Sequence, residues 1–162
     1  MYGKIRIIQA SNKYTDQIIK RIDRVYGEYG YWVNTNKYDK DLLDIEKNYC
    51  SKKGCFWLAM HNSRLVGTIA VKPIDNQLIE IKRLYVEKKW RGTNISMGLY
   101  NYAYTFAYSK NYKKIILWSD TKFDRAHSFY LKLGFSLCGK RIMNDADQPY
   151  EEFLFCKNIS LL

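Results

Sequence analysis

Proline is scarce in this 162-residue chain, with two in all, and no Gly/Ser tract, low-complexity stretch or internal repeat interrupts it. Nothing in it reads as a linker, and its composition excludes wholesale disorder. Histidine is as rare, with only His61 and His127, and the four cysteines (Cys50, Cys55, Cys138, Cys156) form no C-x-x-C pair. No metal site is therefore expected, and a reduced, cytoplasmic setting is. Long apolar runs are missing too. The opening MYGKIRIIQA lacks the apolar region of a signal peptide, and the most apolar stretch, Cys55 to Met60, spans six residues against the ~20 that cross a bilayer. Neither secretion nor membrane insertion is expected. The last shortage is acidic: 16 Asp plus Glu against 27 Lys plus Arg give a formal charge of +11. Such a balance points to an anionic partner, whether nucleic acid, acidic lipid or a phosphorylated small molecule.

What the chain does have is apolar material: 47% hydrophobic and 16% aromatic residues, enough for one core. The length suits a single domain spanning residues 1–162. The charge is regional. Residues 81–141 carry 13 Lys or Arg against three Asp or Glu, whereas residues 142–162 carry four acids and one lysine.

Periodicity sets the element order. Ile5, Ile7 and Ile8 suggest a first strand. Ile18, Ile19, Ile22, Val25, Tyr26 and Tyr29 mark a helix face ending near Gly27 or Gly30, and Asp41 to Tyr49 a second short helix. An aromatic loop, Tyr29 to Tyr38, lies between them. Three antiparallel strands follow (55–61, 64–71, 77–86), with turns at Asn62–Ser63 and Asp75–Asn76. Residues 94–110 form a helix with Ile95, Leu99, Tyr102, Ala103 and Phe106 along its face, and 114–118 a buried strand. Thr121 with Asp124 has capping-box spacing for a helix presenting Ala126, Phe129, Tyr130 and Leu133, stopped by Gly134. Strands 135–143 and 150–157 close the chain as a hairpin. The string β-α-α-β-β-β-α-β-α-β-β predicts an α/β (α+β) fold, a mixed sheet with helices on its faces.

One junction stands out. The third antiparallel strand runs through Glu87, Lys88, Lys89, Trp90, Arg91 and Gly92 into the helix at Asn94. A basic turn at a helix N-terminus can bind an anion, because unpaired N–H groups and the positive helix end point outward together. Thr93 and Ser96 could add hydroxyl donors, and a diphosphate is the natural guest. The plainer reading, a solvated basic loop, stays open on spacing alone.

Residues 80–135, EIKRLYVEKKWRGTNISMGLY through WSDTKFDRAHSFYLKLGF, resemble the core of the GNAT superfamily of acetyl-CoA-dependent N-acyltransferases. Leu84, Tyr85 and Val86 match the family's hydrophobic strand end. Arg91 matches the first position of its Q/R-x-x-G-x-G/A diphosphate turn, and Ala126, Tyr130, Leu133, Gly134 and Phe135 match its A-x-x-x-Y-x-x-x-G-F junction. The resemblance implies the GNAT fold, acetyl-CoA as co-substrate without a metal, and cofactor contacts from Leu84, Tyr85, Val86, Arg91, Gly92, Thr93, Asn94, Ile95, Ser96 and Tyr130. Two departures stand beside it. Asn94 and Ser96 occupy positions where the family usually has Gly and then Gly or Ala; Asn tolerates positive φ and Ser is small. Phe123 stands where a pantetheine-contacting Asn is frequent, leaving Ser119, Asp120 or Thr121 as substitutes.

Acyl transfer to an amine needs the amine neutral. A lysine-like amine of pKa about 10.4 is neutral roughly once in 2,500 molecules at pH 7, so a base is expected. Glu80, the carboxylate of the predicted central strand, is the candidate, the bland alternative being a charge paired with Lys82 or Arg83. Tyr130, a phenol protonated at neutral pH, is the candidate acid for the leaving thiolate, although alone it would read as core. His127 lacks a Ser or Cys at triad spacing and reads as structural or substrate-facing. By the resemblance, backbone N–H groups at Leu84 to Val86 polarise the acetyl carbonyl. The implied activity is direct acetyl transfer from acetyl-CoA to a primary amine of a small molecule or peptide.

By the resemblance, the aromatic loop from Tyr29 to Tyr38 and the final hairpin are the expected acceptor walls. Asp145, Asp147, Glu151 and Glu152 there would suit a cationic amine, or else form an exposed polar turn. Two alternatives remain: a catalytically silent CoA-binding regulator of the same fold, and a basic nucleic-acid-binding module, disfavoured because no RNA-binding motif appears and Tyr102 and Tyr130 fall on predicted buried faces. A homodimer is compatible with the sequence but not encoded in it.

Overall fold

Residues 3–144 and 148–160 are described by the structure, a computed structural model. Seven strands form one mixed sheet in the order β1-β2-β3-β4-β5-β7-β6. They are β1 (Ile5–Gln9), β2 (Cys55–His61), β3 (Arg64–Pro73), β4 (Leu78–Val86), β5 (Lys114–Asp120), β6 (Ser136–Met143) and β7 (Tyr150–Asn158). The helices are α1 (Thr15–Gly27), α2 (Ile45–Asn48), α3 (Ile95–Ser109) and α4 (Asp124–Lys132). The expected element order is the observed one.

The central strands are buried on both faces, which is why β2 reads as a continuous apolar run and not as an alternation. Cys55, Trp57 and Ala59 join one core with α3 and α4, built on Leu99, Ala103, Ile115 and Phe155. Phe56, Leu58 and Met60 join the other, with Ile18 and Ile22 of α1 and Leu42, Ile45 and Tyr49. Each fully buried Ile, Leu or Phe side chain contributes about 1.5–3 kcal/mol. Gly67 of β3 permits the close approach of α3, since a Cβ there would stand 3.1 Å from Leu99 Cδ1 and 3.3 Å from Ile95 Cγ2.

Three local expectations change. The helix expected over 41–49 divides into a 3-10 turn at Lys40–Leu43 and a short α2, because Asp44 caps α2 by accepting from Lys47 N at 3.0 Å. Thr121 and Asp124 make no capping box: α4 starts without a side-chain cap, and Asp120 Oδ1 accepts from Lys122 N at 2.9 Å instead. Tyr102 is 47% exposed, while Tyr100 and Ala107 take the inward positions of α3.

The site depends on an irregularity in β4. Thr68 of β3 pairs with Tyr85, but Ala70 pairs with Lys82, so β4 carries one extra residue between these pairs. Arg83 there has φ +58°, and Thr68 Oγ1 donates to its carbonyl at 2.6 Å. This is a β-bulge, which kinks a strand and re-aims its side chains. Ile79 and Ile81 precede it, Leu84 and Val86 follow it, and all four face the same core. Parity along the strand has therefore flipped. On its other side, β4 pairs with β5 in parallel only over Leu78–Glu80, whereas β5 stays with β7 along its whole length. Beyond Glu80 the sheet is split, and the site occupies the split.

Candidate active site

Two cavities flank the split and share Leu84, Tyr85, Phe123 and Tyr130 as a common wall. The first, about 450 Å³, lies over the N-terminus of α3 and is lined by Val86, Arg91 to Asn94, Ser96, Arg125 and Lys132 among others. No carboxylate lines it among the described residues. The first-turn N–H groups of this 15-residue helix lack intrahelical acceptors and carry the positive end of its dipole. Gly92 turns the chain with φ +76°, and a Cβ on it would meet Arg125 Nη2 at 3.4 Å. Open backbone, fixed cations and a helix N-terminus fit a diphosphate-bearing cofactor.

Leu84, Tyr85, Val86, Arg91, Gly92, Thr93, Asn94, Ser96 and Tyr130 all line this cavity. Ile95 does not; its side chain is 5% exposed and packs in the core. Lys88 and Lys89, expected to add charge to the turn, sit in a 3-10 turn over Lys88–Trp90 outside the lining. Their place is taken by Arg125 and Lys132 of α4. Arg91 is already engaged: it donates from Nη1 and Nη2 to both oxygens of Glu28, at 2.6 and 2.8 Å, and from Nε to Val86 O at 2.9 Å. The expected tolerance of Asn94 for positive φ is not used, because its φ is −77°.

The second cavity, about 350 Å³, opens on the other side of the wall. Tyr31, Trp32 and Tyr38 of the aromatic loop line it, with Trp118, Asp120, Tyr150 and Glu152 from the β5–β7 half of the sheet. Glu80 does not. It precedes the bulge, and its carboxylate stands 3.4 Å from Lys82 Nζ. Asp145 and Asp147 lie outside the described residues. Glu151 pairs with Lys140 at 2.8 Å, both about half exposed. Glu152 lines the cavity, and its Oε2 accepts from Arg141 Nε at 2.7 Å. Burial raises the Glu152 pKa against the opposing pull of Arg141.

Tyr130 is buried and belongs to both cavities. Desolvation, with a smaller effect of Tyr85, pushes its phenol above the ordinary value, so it remains a proton donor at any physiological pH. His127 lines neither cavity. Its Nε2 lies 3.0 Å from Asp120 O and 3.2 Å from Ser119 Oγ. A carbonyl only accepts, so Nε2 carries the proton, and burial lowers the pKa of the ring. The imidazole ties α4 to the end of β5. Ser119 and Asp120 face the second cavity and not the first, while Phe123 packs against Tyr29 with centroids 4.5 Å apart and the rings tilted by 53°.

A cluster that the sequence reading missed lies beneath the second cavity. The Arg83 guanidinium, one of the cavity's lining groups, donates from Nη1 to Asp39 Oδ1 at 2.8 Å and to Tyr26 OH at 3.0 Å. It also reaches Asp41 through Nε and Nη2. A signal was present: the apolar spacing 79, 81, 84, 86 breaks a period of two by one residue.

A basic cavity on a helix N-terminus and an aromatic cavity with carboxylates, meeting at one buried tyrosine in a split sheet, define a cleft for two substrates. The chain belongs to the Acetyltransferase (GNAT) family, whose profile matches residues 19–135. An acetyltransferase from Streptococcus agalactiae 2603 has the same fold, with a TM-score of 0.85 at 25% identity over 95% of this chain and 98% of that one. N-acetyltransferase 8F1 of Rattus norvegicus is 30% identical over 108 residues, 64% of this chain and 49% of that protein. The N-acetylaspartate synthetase of Xenopus tropicalis is 32% identical over 101 residues, 61% of this chain and 37% of that protein. The chain thus covers half or less of the length of these two curated relatives.

Proposed function

We propose that this chain is an acetyl-CoA-dependent N-acetyltransferase that moves an acetyl group directly to the primary amine of a small molecule or peptide. The carrying observation is that the cation-lined cavity and the aromatic one meet at Tyr130. Bound acetyl-CoA supplies the acetyl group as a thioester. The turn from Arg91 to Ser96, with Arg125 and Lys132, holds its diphosphate. β4 beyond Glu80 has no strand partner on the β5 side, leaving backbone N–H groups near Leu84 to polarise a carbonyl lodged in the split. Tyr130, kept protonated by burial, would donate a hydrogen bond and then its proton to the CoA sulfur as the thioester bond breaks. Glu80, turned to Lys82, is set back from this path, and Asp120 and Glu152 are the carboxylates of the acceptor cavity.

A cytoplasmic setting belongs to the same proposal. It is supported by four free cysteines and by the lack, among the described residues, of any helix long and apolar enough to cross a membrane.

Thermal unfolding with and without acetyl-CoA tests the proposal. Ligand at 100 times Kd adds about 2.7 kcal/mol, a rise of roughly 5–10 °C for a domain of this size. No shift at millimolar acetyl-CoA refutes it. A shift without release of CoA thiol across a panel of amines identifies a silent CoA-binding protein instead.

A further inference from the structure

The charged groups of the acceptor cavity differ in what they have left to offer a substrate. Arg83 spends its guanidinium on Asp39, Asp41 and Tyr26. Lys82 Nζ lies 3.4 Å from Glu80. Asp120 accepts from Lys122 N through Oδ1 and from Tyr31 OH through Oδ2, at 2.9 and 3.0 Å. Glu152 is different. Both contacts from Arg141 converge on Oε2, at 2.7 Å from Nε and 2.6 Å from Nη2, and no described residue donates to Oε1. A carboxylate whose side chain is 14% exposed and whose one neighbour is held by Oε2 alone has capacity for a second donor.

The remaining wall is largely aromatic, with Ser119 and Gln148 as its polar side chains besides the tyrosines. Arg141 covers one face of Trp118 with its guanidinium carbon 3.9 Å from the ring centre, which fixes the indole and, through the same guanidinium, Glu152. Trp32 lines the cavity yet is 55% exposed, a large ring kept at an opening where it buries little of its own surface. Tyr31, Tyr38 and Tyr150 complete the lining beside it.

Given the N-acetyltransferase reading on which this rests, we infer that the acceptor is a small primary amine on a planar apolar body without a carboxylate. Its ammonium is received by Glu152 Oε1, and its ring lies along Trp118 and Trp32. A substrate carboxylate would find Arg83 already neutralised and would lie in a cavity that also holds Asp120 and Glu152. Rings against rings supply the contact area, and the open Glu152 oxygen orients the nitrogen. An amino dicarboxylate, whose N-acetyl derivative is the product named for the N-acetylaspartate synthetases, would be rejected.

The test compares ligands that differ by one carboxylate: tryptamine with tryptophan, and phenethylamine with phenylalanine, beside aspartate and a short peptide. Binding to the unaltered protein is read by tryptophan fluorescence or calorimetry without acetyl-CoA, and turnover by release of CoA thiol. The amines should bind at least tenfold more tightly than their amino acids and dominate kcat/KM by a similar or larger factor. Glu152→Gln should raise KM for phenethylamine tenfold or more and leave the acetyl-CoA Kd within twofold. Equal or better binding of tryptophan, aspartate or the peptide overturns the inference, as does an unchanged KM in a folded Glu152→Gln. Failure of acetyl-CoA to bind or to react removes the activity, while amine selectivity in direct binding still decides the acceptor class.

Discussion

Arg83 and Asp41 form a two-pronged ion pair beneath the acceptor cavity, Nε to Oδ2 at 3.1 Å and Nη2 to Oδ1 at 2.5 Å. Asp39, 2% exposed as a side chain, takes a third guanidinium bond at 2.8 Å. The cluster ties the bulge of β4 to the segment between α1 and α2, and so holds both the split and the acceptor wall. Removing one partner leaves a buried charge without compensation, which costs about 3–5 kcal/mol. Arg83→Met, which strips Asp39 and Asp41 of their shared cation, should therefore lower Tm by about 6–20 °C at roughly 2–4 °C per kcal/mol. A fall of less than 2 °C in thermal unfolding would show that the cluster is not a structural clamp.

The same pair sets an acid limit. Burial alone would raise the Asp41 pKa, but the Arg83 charge and hydrogen bond, aided by the Tyr49 hydroxyl, outweigh it and hold the carboxyl below its ordinary value. A depressed folded-state pKa contributes stability that is present in full above the unfolded value of about 3.9 and is lost as pH falls through the folded one. Unfolding free energy should drop below about pH 4, and Asp41→Asn should flatten that drop. Denaturant titrations between pH 3 and 7 check it, and parallel curves for the two proteins would refute the assignment.

How far the sequence foretold the structure can be judged on β4. Its limits and its neighbours follow from apolar spacing and turn residues, and helix and strand order elsewhere follow in the same way. The bulge does not follow from a rule of two, and it decides which residues face the cleft. Glu80 is the carboxylate that the sequence places on the central strand, yet it precedes the bulge and turns to Lys82. Glu152 could be placed only in an acidic hairpin, because the pairing Asp120↔Glu152 that brings it beside Trp118 is set by long-range register. Tyr102 differs for another reason: the apolar stripe of α3 is broad, and long-range contacts with Phe135 and Lys157 draw Tyr100 inward while Tyr102 meets only the edge of Trp57 and stays 47% exposed.

Tyr130 carries the chemistry of the proposal. Tyr130→Phe keeps the buried ring and removes the proton. General acid catalysis contributes about 10²–10⁴-fold, so kcat should fall by about a hundredfold or more, with the acetyl-CoA Kd within about threefold of the parent. Because the phenol pKa is raised, its ionisation should not shape the parent's pH–rate profile below about pH 10. A kcat within threefold of the parent would assign Tyr130 to the core alone.

The cations of the first cavity are not equivalent. Arg91 is committed to Glu28 and Val86 O, while Arg125 stands beside Gly92 and lines the cavity from α4. Arg125→Ala should weaken acetyl-CoA binding about three- to tenfold, the scale of a lost charge-assisted hydrogen bond with partial solvent exposure. Arg91→Ala should act more on Tm, by releasing α1 from the turn. Calorimetric titration and thermal unfolding of both variants separate the roles; a larger affinity loss for Arg91→Ala would reverse them.

The departures from the family's diphosphate turn concern close approach more than backbone strain. Within the stretch from Arg91 to Ser96 the positive φ belongs to Gly92, at +76°, and Asn94 has an ordinary −77°. Gly92→Ala forces a Cβ into the left-handed region, at about 1 kcal/mol or more, and toward Arg125 Nη2. It should lower both Tm and acetyl-CoA affinity. Asn94→Gly relieves no strain, and glycine at this helix boundary should change Tm by no more than about 2 °C. Its effect on affinity reads out the steric contribution of one side chain. A change within threefold means that Asn94 leaves room for the diphosphate, and a gain beyond tenfold means that its side chain obstructs it. The first outcome is expected, because Asn94 is exposed where it lines the cavity.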